Sequence, residues 1–254
     1  MRATMALTRE EYRARLEDRG RPQPDKIGVL EEACRGRRVL DLGCIDHSWR
    51  TAVELGDRWL HARLAAVADG IVGVDILADD ARALSERGFD IRVGDVEDLD
   101  LGETFDVVVA GDLIEHLGRP LEFLHSIARH CHGGSRVYVS TPNPFNLEQV
   151  LHIVAGDGPR VNPQHVTWFD PEVLWQLVER SPLVVTDAWW VDTRFHFPLR
   201  GRVRRRLAGA VVALAQRRWP RLRRDLLVEL APAPGGEAAP RQTPAEPLEA
   251  PLGA

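Results

Sequence analysis

The chain has 254 residues, is 44% hydrophobic and carries a formal net charge of −5. That is enough apolar material for one sizeable domain core, and the acidic balance excludes a global pull towards nucleic acid or anionic membrane. Three unpatterned cysteines, Cys34, Cys44 and Cys131, exclude a disulfide scaffold and predict reduced thiols in a cytoplasmic protein. The N-terminus MRATMALTREEY carries acids too early for a signal peptide. The longest apolar run, Leu207 to Ala215, is too short to span a bilayer. The basic residues are nearly all arginine, and Lys26 is the only lysine. With so much Ala, Gly and Pro, this reads as coding bias rather than function.

Thr8 to Glu17 reads as a polar helix ended by Gly20. Pro22 and Pro24 break the chain, and a second short helix is expected from about Asp25 to Cys34. Residues 1–36 are thus expected to form a helical cap over the sheet or the site. The core pattern starts at 38–42, where Val39, Leu40 and Leu42 read as a strand buried on both faces. Asp41 interrupts that run and Gly43 follows it. A carboxylate and a glycine at a buried strand's C-terminal end make a place where backbone can approach a ligand. A helix is expected over 49–66, with Leu55, Trp59, Leu60 and Leu64 at helical spacing. Further strands are expected at 71–76, 90–95, 105–112 and 136–142, with helices at 79–87 and 120–130. Gly133-Gly134 is expected to turn the chain before 136–142. Strands alternating with helices at this spacing predict an α/β protein with a doubly wound, mostly parallel sheet.

After Pro144 the pattern loosens. Residues 145–168 read as a helix and then a long loop ending in NPQHVTWF. Asp170 and Pro171 supply an N-cap and first turn for another helix. Residues 183–190 make a sixth strand and 226–230 a seventh, so the main domain is expected to span 37–231. Between them, 200–224 reads as an Arg-rich helical insert. Residues 232–254 are rich in Pro, Ala, Gly and Glu and read as a disordered tail.

In a doubly wound sheet, ligands sit beyond the C-terminal strand ends at the switch point. Four strand ends in a row carry an acid: Asp41, Asp75, Asp95 and Asp112. Asp75 is placed to accept both hydroxyls of a ribose, and Asp95 an adenine amino group. A nucleoside with a cationic neighbour fits such a rim.

These stretches resemble class I S-adenosylmethionine-dependent methyltransferases. VLDLGC resembles motif I, GVDI motif II, the GD at 94–95 the adenine motif and FDVVVAGDLIEHL motif IV. YVSTPNP followed by HVTWFDPEVL resembles the branch that includes ubiquinone-biosynthesis O-methyltransferases, the methyltransferase domain 23 type. The similarity covers about residues 26–192 and implies a seven-stranded Rossmann-like fold binding S-adenosyl-L-methionine. It implies that Asp41, Gly43, Cys44, Asp75, Ile76, Asp95, Val96, Gly111 and Asp112 hold that cofactor. One departure stands out. The family's motif I usually reads D-x-G-x-G-x-G, and here Ile45 and His47 replace the second and third glycines. They must turn outward or replace the glycines' contact with the methionine part.

A second cluster comprises Asp112, Glu115 and His116, joined by His165 from the loop beyond the neighbouring strand. It resembles a constellation in small-RNA 2′-O-methyltransferases and some ubiquinone O-methyltransferases, where acids and histidines hold Mg²⁺ against the acceptor hydroxyls. The resemblance makes Asp112, Glu115, His116 and His165 ligands for Mg²⁺ or another divalent metal. His116 or His165 as a metal-free general base is the alternative. His130, Cys131 and His132 look like a ligand cluster but sit at a helix end, where imidazoles more often cap carbonyls. His61 and His125 read as surface or packing residues. Trp168 is the tryptophan best placed to wall an acceptor pocket. The Arg-rich segment can lie on anionic lipid or grip a phosphorylated acceptor, although a solvated helix face is the safer reading. The expected reaction is O-methylation of a small hydroxylated acceptor: a sugar, a quinone precursor or a secondary metabolite. The alternatives are an RNA 2′-O-methyltransferase, which the net acidity opposes, and an inactive cofactor-binding scaffold, which Ile45 and His47 motivate.

Overall fold

The computed structural model describes residues 5–21, 24–45, 47–160, 162–191, 212 and 214–235. Seven strands form one sheet in the order β3-β2-β1-β4-β5-β7-β6. They are β1 (Arg38–Leu42), β2 (Gly70–Asp75), β3 (Ile91–Val93), β4 (Phe105–Gly111), β5 (Cys131–Pro142), β6 (Leu183–Val191) and β7 (Asp225–Pro232). β1 to β5 pair in parallel, and β7 runs antiparallel between β5 and β6.

Side chains alternate across the strands and bury on both faces. Leu40, Leu42, Val108, Ala110, Val137 and Val139 belong to one core. Val39, Val107, Val109 and Tyr138 belong to the other. The first face is covered by α1 (Arg9–Glu17), α6 (Pro120–Arg129) and α8 (Pro171–Val178), which contribute Tyr12, Phe123 and Trp175 to that core. The second face is covered by α2 (Lys26–Cys34) and α4 (Leu60–Ala65), through Leu30 and Leu64. The N-terminal helices therefore pack on opposite sides of the sheet. Tyr12 lies 5.1 Å from Trp175, and Arg9 and Arg13 both bridge to Glu172.

Two local expectations are corrected. The helix expected over 49–66 is broken into α3 (Trp49–Leu55) and α4 by a 3₁₀ turn at Gly56–Arg58, with Gly56 at φ +51°. A left-handed glycine cannot continue an α-helix. Gly133-Gly134 does not precede β5 but lies within it. Phe105 pairs with Cys131 and Val107 with Arg136, so residues 132–135 bulge out of the ladder. The hydroxyl of Ser135 secures the bulge by accepting the His132 N–H at 2.8 Å.

The remaining helices are α5 (Ala78–Ser85) and α7 (Leu147–Ala155). α7 is capped by Asn146 and buries none of its own residues. Most of the expected Arg-rich helix, including 200–211, lies outside the described residues, although 214–218 is helical. Of the expected C-terminal tail, 236–254 lies outside them. Among the described residues, no helix is long and apolar enough to cross a membrane.

Candidate active site

The crevice opens between β1 and β4, where the chain leaves neighbouring strands in opposite directions. Gly43 turns out of β1 at φ +67°, and a Cβ there would meet Leu113 Cδ1 at 2.7 Å. The backbone conformation favours glycine, and a side chain there would also have to displace Leu113. β2 delivers Asp75, whose carboxylate accepts the N–H of Ile45 at 2.9 Å and of Leu77 at 3.1 Å. Burial raises its pKa, and these backbone donors oppose that rise. A carboxylate oxygen can accept more than one hydrogen bond, so Asp75 keeps capacity for ribose hydroxyls.

The motif I departure has a structural answer. Ile45 buries its side chain in a cluster with Ala52, Trp59 and Ala81. His47 is exposed and takes the left-handed conformation at φ +58°, a region in which histidine is enriched among non-glycine residues. The Cys44 carbonyl accepts the Trp59 indole N–H at 2.7 Å, and burial pushes the Cys44 thiol well up. Ile76 stands exposed beyond β2, and Val96 is buried. Asp95 accepts the Glu97 N–H at 2.9 Å and lies 3.6 Å from Arg119. Gly111 ends β4 against Leu60.

Asp41 differs from its expected place on the rim. It is buried, and it accepts from His61 Nδ1 at 2.9 Å. His61, read from sequence as a surface or packing residue, is only 1% exposed and leaves Nε2 without a partner among the described residues. This pair supports the end of β1.

On the acceptor side, Asp112 follows β4 at φ +51°. Ser140 Oγ donates to its Oδ1 at 2.7 Å, and Lys26 Nζ donates to its Oδ2 at 2.6 Å. Lys26 Nζ also lies 3.4 Å from Asp225 Oδ2 and is 4% exposed. The surroundings of Asp112 disfavour its charge, but Lys26 and Ser140 prevail and hold its carboxyl below the usual range. Burial pushes Asp225 up to about 6 against the pull of Lys26. Neither Lys26 nor Asp225 was marked by motif. The one available signal was a single lysine in a chain whose other cations are arginines.

Glu115, His116 and His165 converge, each offering a ligand atom within 4.8 Å of the others. Asp112, expected in this set, is held by Lys26 and Ser140 instead and is not part of it. Glu115 is 1% exposed, and beyond the Thr141 hydroxyl that faces it neither of its carboxylate oxygens has a partner among the described residues. Burial and then the Asp112 charge push its pKa up to about 8. Leaving buried acceptors unmet costs about 1–3 kcal/mol each, which marks the spot as a ligand position. His116 Nδ1 lies 3.2 Å from the Gln164 carbonyl. A carbonyl only accepts, so Nδ1 carries a proton. His165 packs edge-on against His116 at 4.7 Å, and burial, then the His116 charge, lower its pKa. Its imidazole is therefore held neutral at physiological pH.

A cavity of about 210 Å³ adjoins these groups, lined by Glu115, Thr141, Asn146, His165, Trp168 and Asp225 among others. Trp168 thus stands where the sequence placed it. His130 takes no part: its Nδ1 bonds the Ser126 carbonyl at 2.8 Å and its Nε2 accepts the Leu101 N–H at 2.9 Å. His132 reaches Asp106, and Cys131 donates to the Ile127 carbonyl.

This strand order, with β7 antiparallel between β5 and β6, is the Rossmann-like fold of class I S-adenosylmethionine-dependent methyltransferases. Residues 8–188 match the methyltransferase domain family, and the chain belongs to it. It is 29% identical over 165 residues to the ubiquinone biosynthesis O-methyltransferase of Rhizobium etli, covering 60% of this chain and 62% of that protein. It is 29% identical over 163 residues to a probable S-adenosylmethionine-dependent methyltransferase of Mycolicibacterium smegmatis, covering 62% of this chain and 56% of that one. The matches thus span about three fifths of these curated relatives. Among solved structures, the 4+2 cyclase SpnF shares 18% identity at a TM-score of 0.52, covering 82% of this chain and 80% of its own. The YcgJ protein of Bacillus subtilis shares 15% at 0.51, covering 82% and 98%. At such identity the likeness shows the fold alone.

Proposed function

We propose that this protein transfers the methyl group of S-adenosylmethionine to an oxygen of a small hydroxylated acceptor. The carrying observation is the neutral His165 on the cavity wall beside the buried Glu115. The sulfonium supplies an already activated methyl group, so the protein's task is alignment and proton handling. Asp75 holds the ribose, and Gly43 lets the loop backbone close on the cofactor. Glu115, carrying its proton at neutral pH, hydrogen-bonds the acceptor and orients it. His165 takes the hydroxyl proton as the oxygen–methyl bond forms and the sulfur–methyl bond breaks, and then passes it to water. The products are the methyl ether and S-adenosylhomocysteine.

Glu115, His116 and His165 also suit a divalent cation such as Mg²⁺, which would lower the pKa of a bound hydroxyl. A cytoplasmic location accords with the three free cysteines.

The test pairs calorimetry of S-adenosylhomocysteine with methyl transfer to a screen of hydroxylated acceptors, with and without chelator. His165→Ala should keep cofactor affinity and lose turnover. Full activity in that variant would remove His165 from the reaction.

A further inference from the structure

The cavity has two chemically different ends. At the closed end lie Glu115 and Thr141, each 1% exposed, and the buried Asp225. The Thr141 hydroxyl faces the Glu115 carboxyl and lowers its pKa, and neither group has a further partner among the described residues. At the open end lie Arg160 and Asn162, both exposed, with Trp168 and Arg224. The amides between the two ends are already engaged. Asn143 Nδ2 donates to the carbonyls of Arg221 and Arg223, both at 2.7 Å. Gln149 Oε1 accepts the Arg160 N–H at 2.8 Å, which fixes that residue's backbone at the rim. These amides build the wall, and the ends are left to read the ligand.

We infer that the acceptor is a compact anion: a hydroxyl-bearing molecule about one ring in size, with a carboxylate or phosphate opposite the reacting oxygen. The inference rests on the methyl-transfer reading above and specifies its substrate. Size comes from the cavity, whose 210 Å³ falls below the roughly 300–1,000 Å³ of pockets for drug-sized ligands. Among the described residues its apolar lining is Pro142, Pro144 and Trp168, which offers little matching surface for a long alkyl tail. Charge comes from the rim. A guanidinium presents a planar fork of donors that matches carboxylate and phosphate oxygens. Arg160 offers one such fork. Arg224, 3.7 Å from Glu148, offers a second that an incoming anion can share. At the other end, the buried Glu115–Thr141 pair keeps capacity for a ligand hydroxyl, which both gives and accepts a hydrogen bond. One molecule bearing both groups satisfies both ends at once, with its ring against Trp168.

The experiment uses the full chain saturated with S-adenosylhomocysteine and titrated with matched probes. The first set is catechol and 3,4-dihydroxybenzoate. The second is glucose, glucuronate and glucose 6-phosphate. At least one acid should bind about tenfold more tightly than its neutral counterpart, a difference of about 1.4 kcal/mol. The second set separates carboxylate from phosphate recognition. Arg160→Gln should cut the preference, and Arg160→Gln with Arg224→Gln should erase it, at unchanged melting temperature. Glu115→Gln should weaken acid and neutral probes alike and leave their ratio in place. The inference is overturned if no acid outbinds its neutral partner, including the case in which no probe binds. It is also overturned if the preference survives loss of both arginines. The initial titration reads the parent proposal separately: absent S-adenosylhomocysteine binding defeats methyl transfer itself, whereas cofactor binding without acid preference defeats only the anionic acceptor.

Discussion

The cofactor side and the acceptor side of the crevice hold their acids by different means. On the cofactor side, Asp75 is pinned by the backbone N–H groups of Ile45 and Leu77, one from its own turn and one from the neighbouring strand's loop. On the acceptor side, Asp112 and Asp225 share the side-chain ammonium of Lys26, 86 residues before the first of them. Backbone donors come with the fold, so the first arrangement follows from strand, turn and helix alone. The second depends on a single distant side chain, and one substitution can undo it.

Variants that break either arrangement should act in proportion to what they leave behind. Asp75→Ala removes the carboxylate that we propose holds the ribose and frees two backbone N–H groups. With hydrogen bonds to a charged group worth about 1.5–3 kcal/mol each, calorimetry should show S-adenosylhomocysteine binding weakened at least ~100-fold. Unchanged affinity would dissolve the contrast between the two sides. His165→Ala should lower turnover by roughly 10²–10⁴-fold, the usual range for a positioned base, with cofactor affinity intact.

Lys26→Met leaves two carboxylates facing each other in the floor. Removing one partner of a buried ion pair costs about 3–5 kcal/mol, readable in urea melts at pH 8. Asp225 has its pKa raised to about 6, so the loss should shrink at pH 5 as that group takes up a proton. Arginine is bulkier and forked where a compact point charge is needed, so Lys26→Arg should recover only part of the stability. Full recovery would show that charge alone, without fit, holds the floor. His61→Phe should cost about 1–3 kcal/mol, the penalty for leaving buried Asp41 without its donor.

A separate effect is on pH dependence. Glu115 binds its proton more tightly folded than unfolded, its pKa rising from 4.5 to about 8. Its contribution is complete below the unfolded value and is lost as pH rises through that window. Stability should therefore decline between about pH 5 and 8, and Glu115→Gln should flatten the decline.

The contrast also governs what could be read in advance. β1, β2 and β4 announce themselves through apolar runs ending in an acid and a glycine or a turn, because each is a local strand–turn–helix unit. Asp75 and the Glu115–His116–His165 cluster were legible for that reason, together with the family resemblance. Lys26, Asp225 and the Asp41–His61 pair were not. Their partners lie 86, 199 and 20 residues away, in contacts that no periodicity encodes. Even so, Lys26 carried a signal in its rarity: a chain built on arginine keeps lysine where a small cation must fit between two carboxylates. The bulge at Gly133-Gly134 was misread because paired glycines more often mark a turn than an irregular stretch of strand.

A crystal structure of the protein with S-adenosylhomocysteine bears on all of this most directly. The ribose hydroxyls should rest on Asp75, with the sulfur beside Gly111 and Asp112 and facing the cavity of Glu115 and His165. A nucleoside bound elsewhere, or a crevice that stays empty at saturating ligand, would contradict the account.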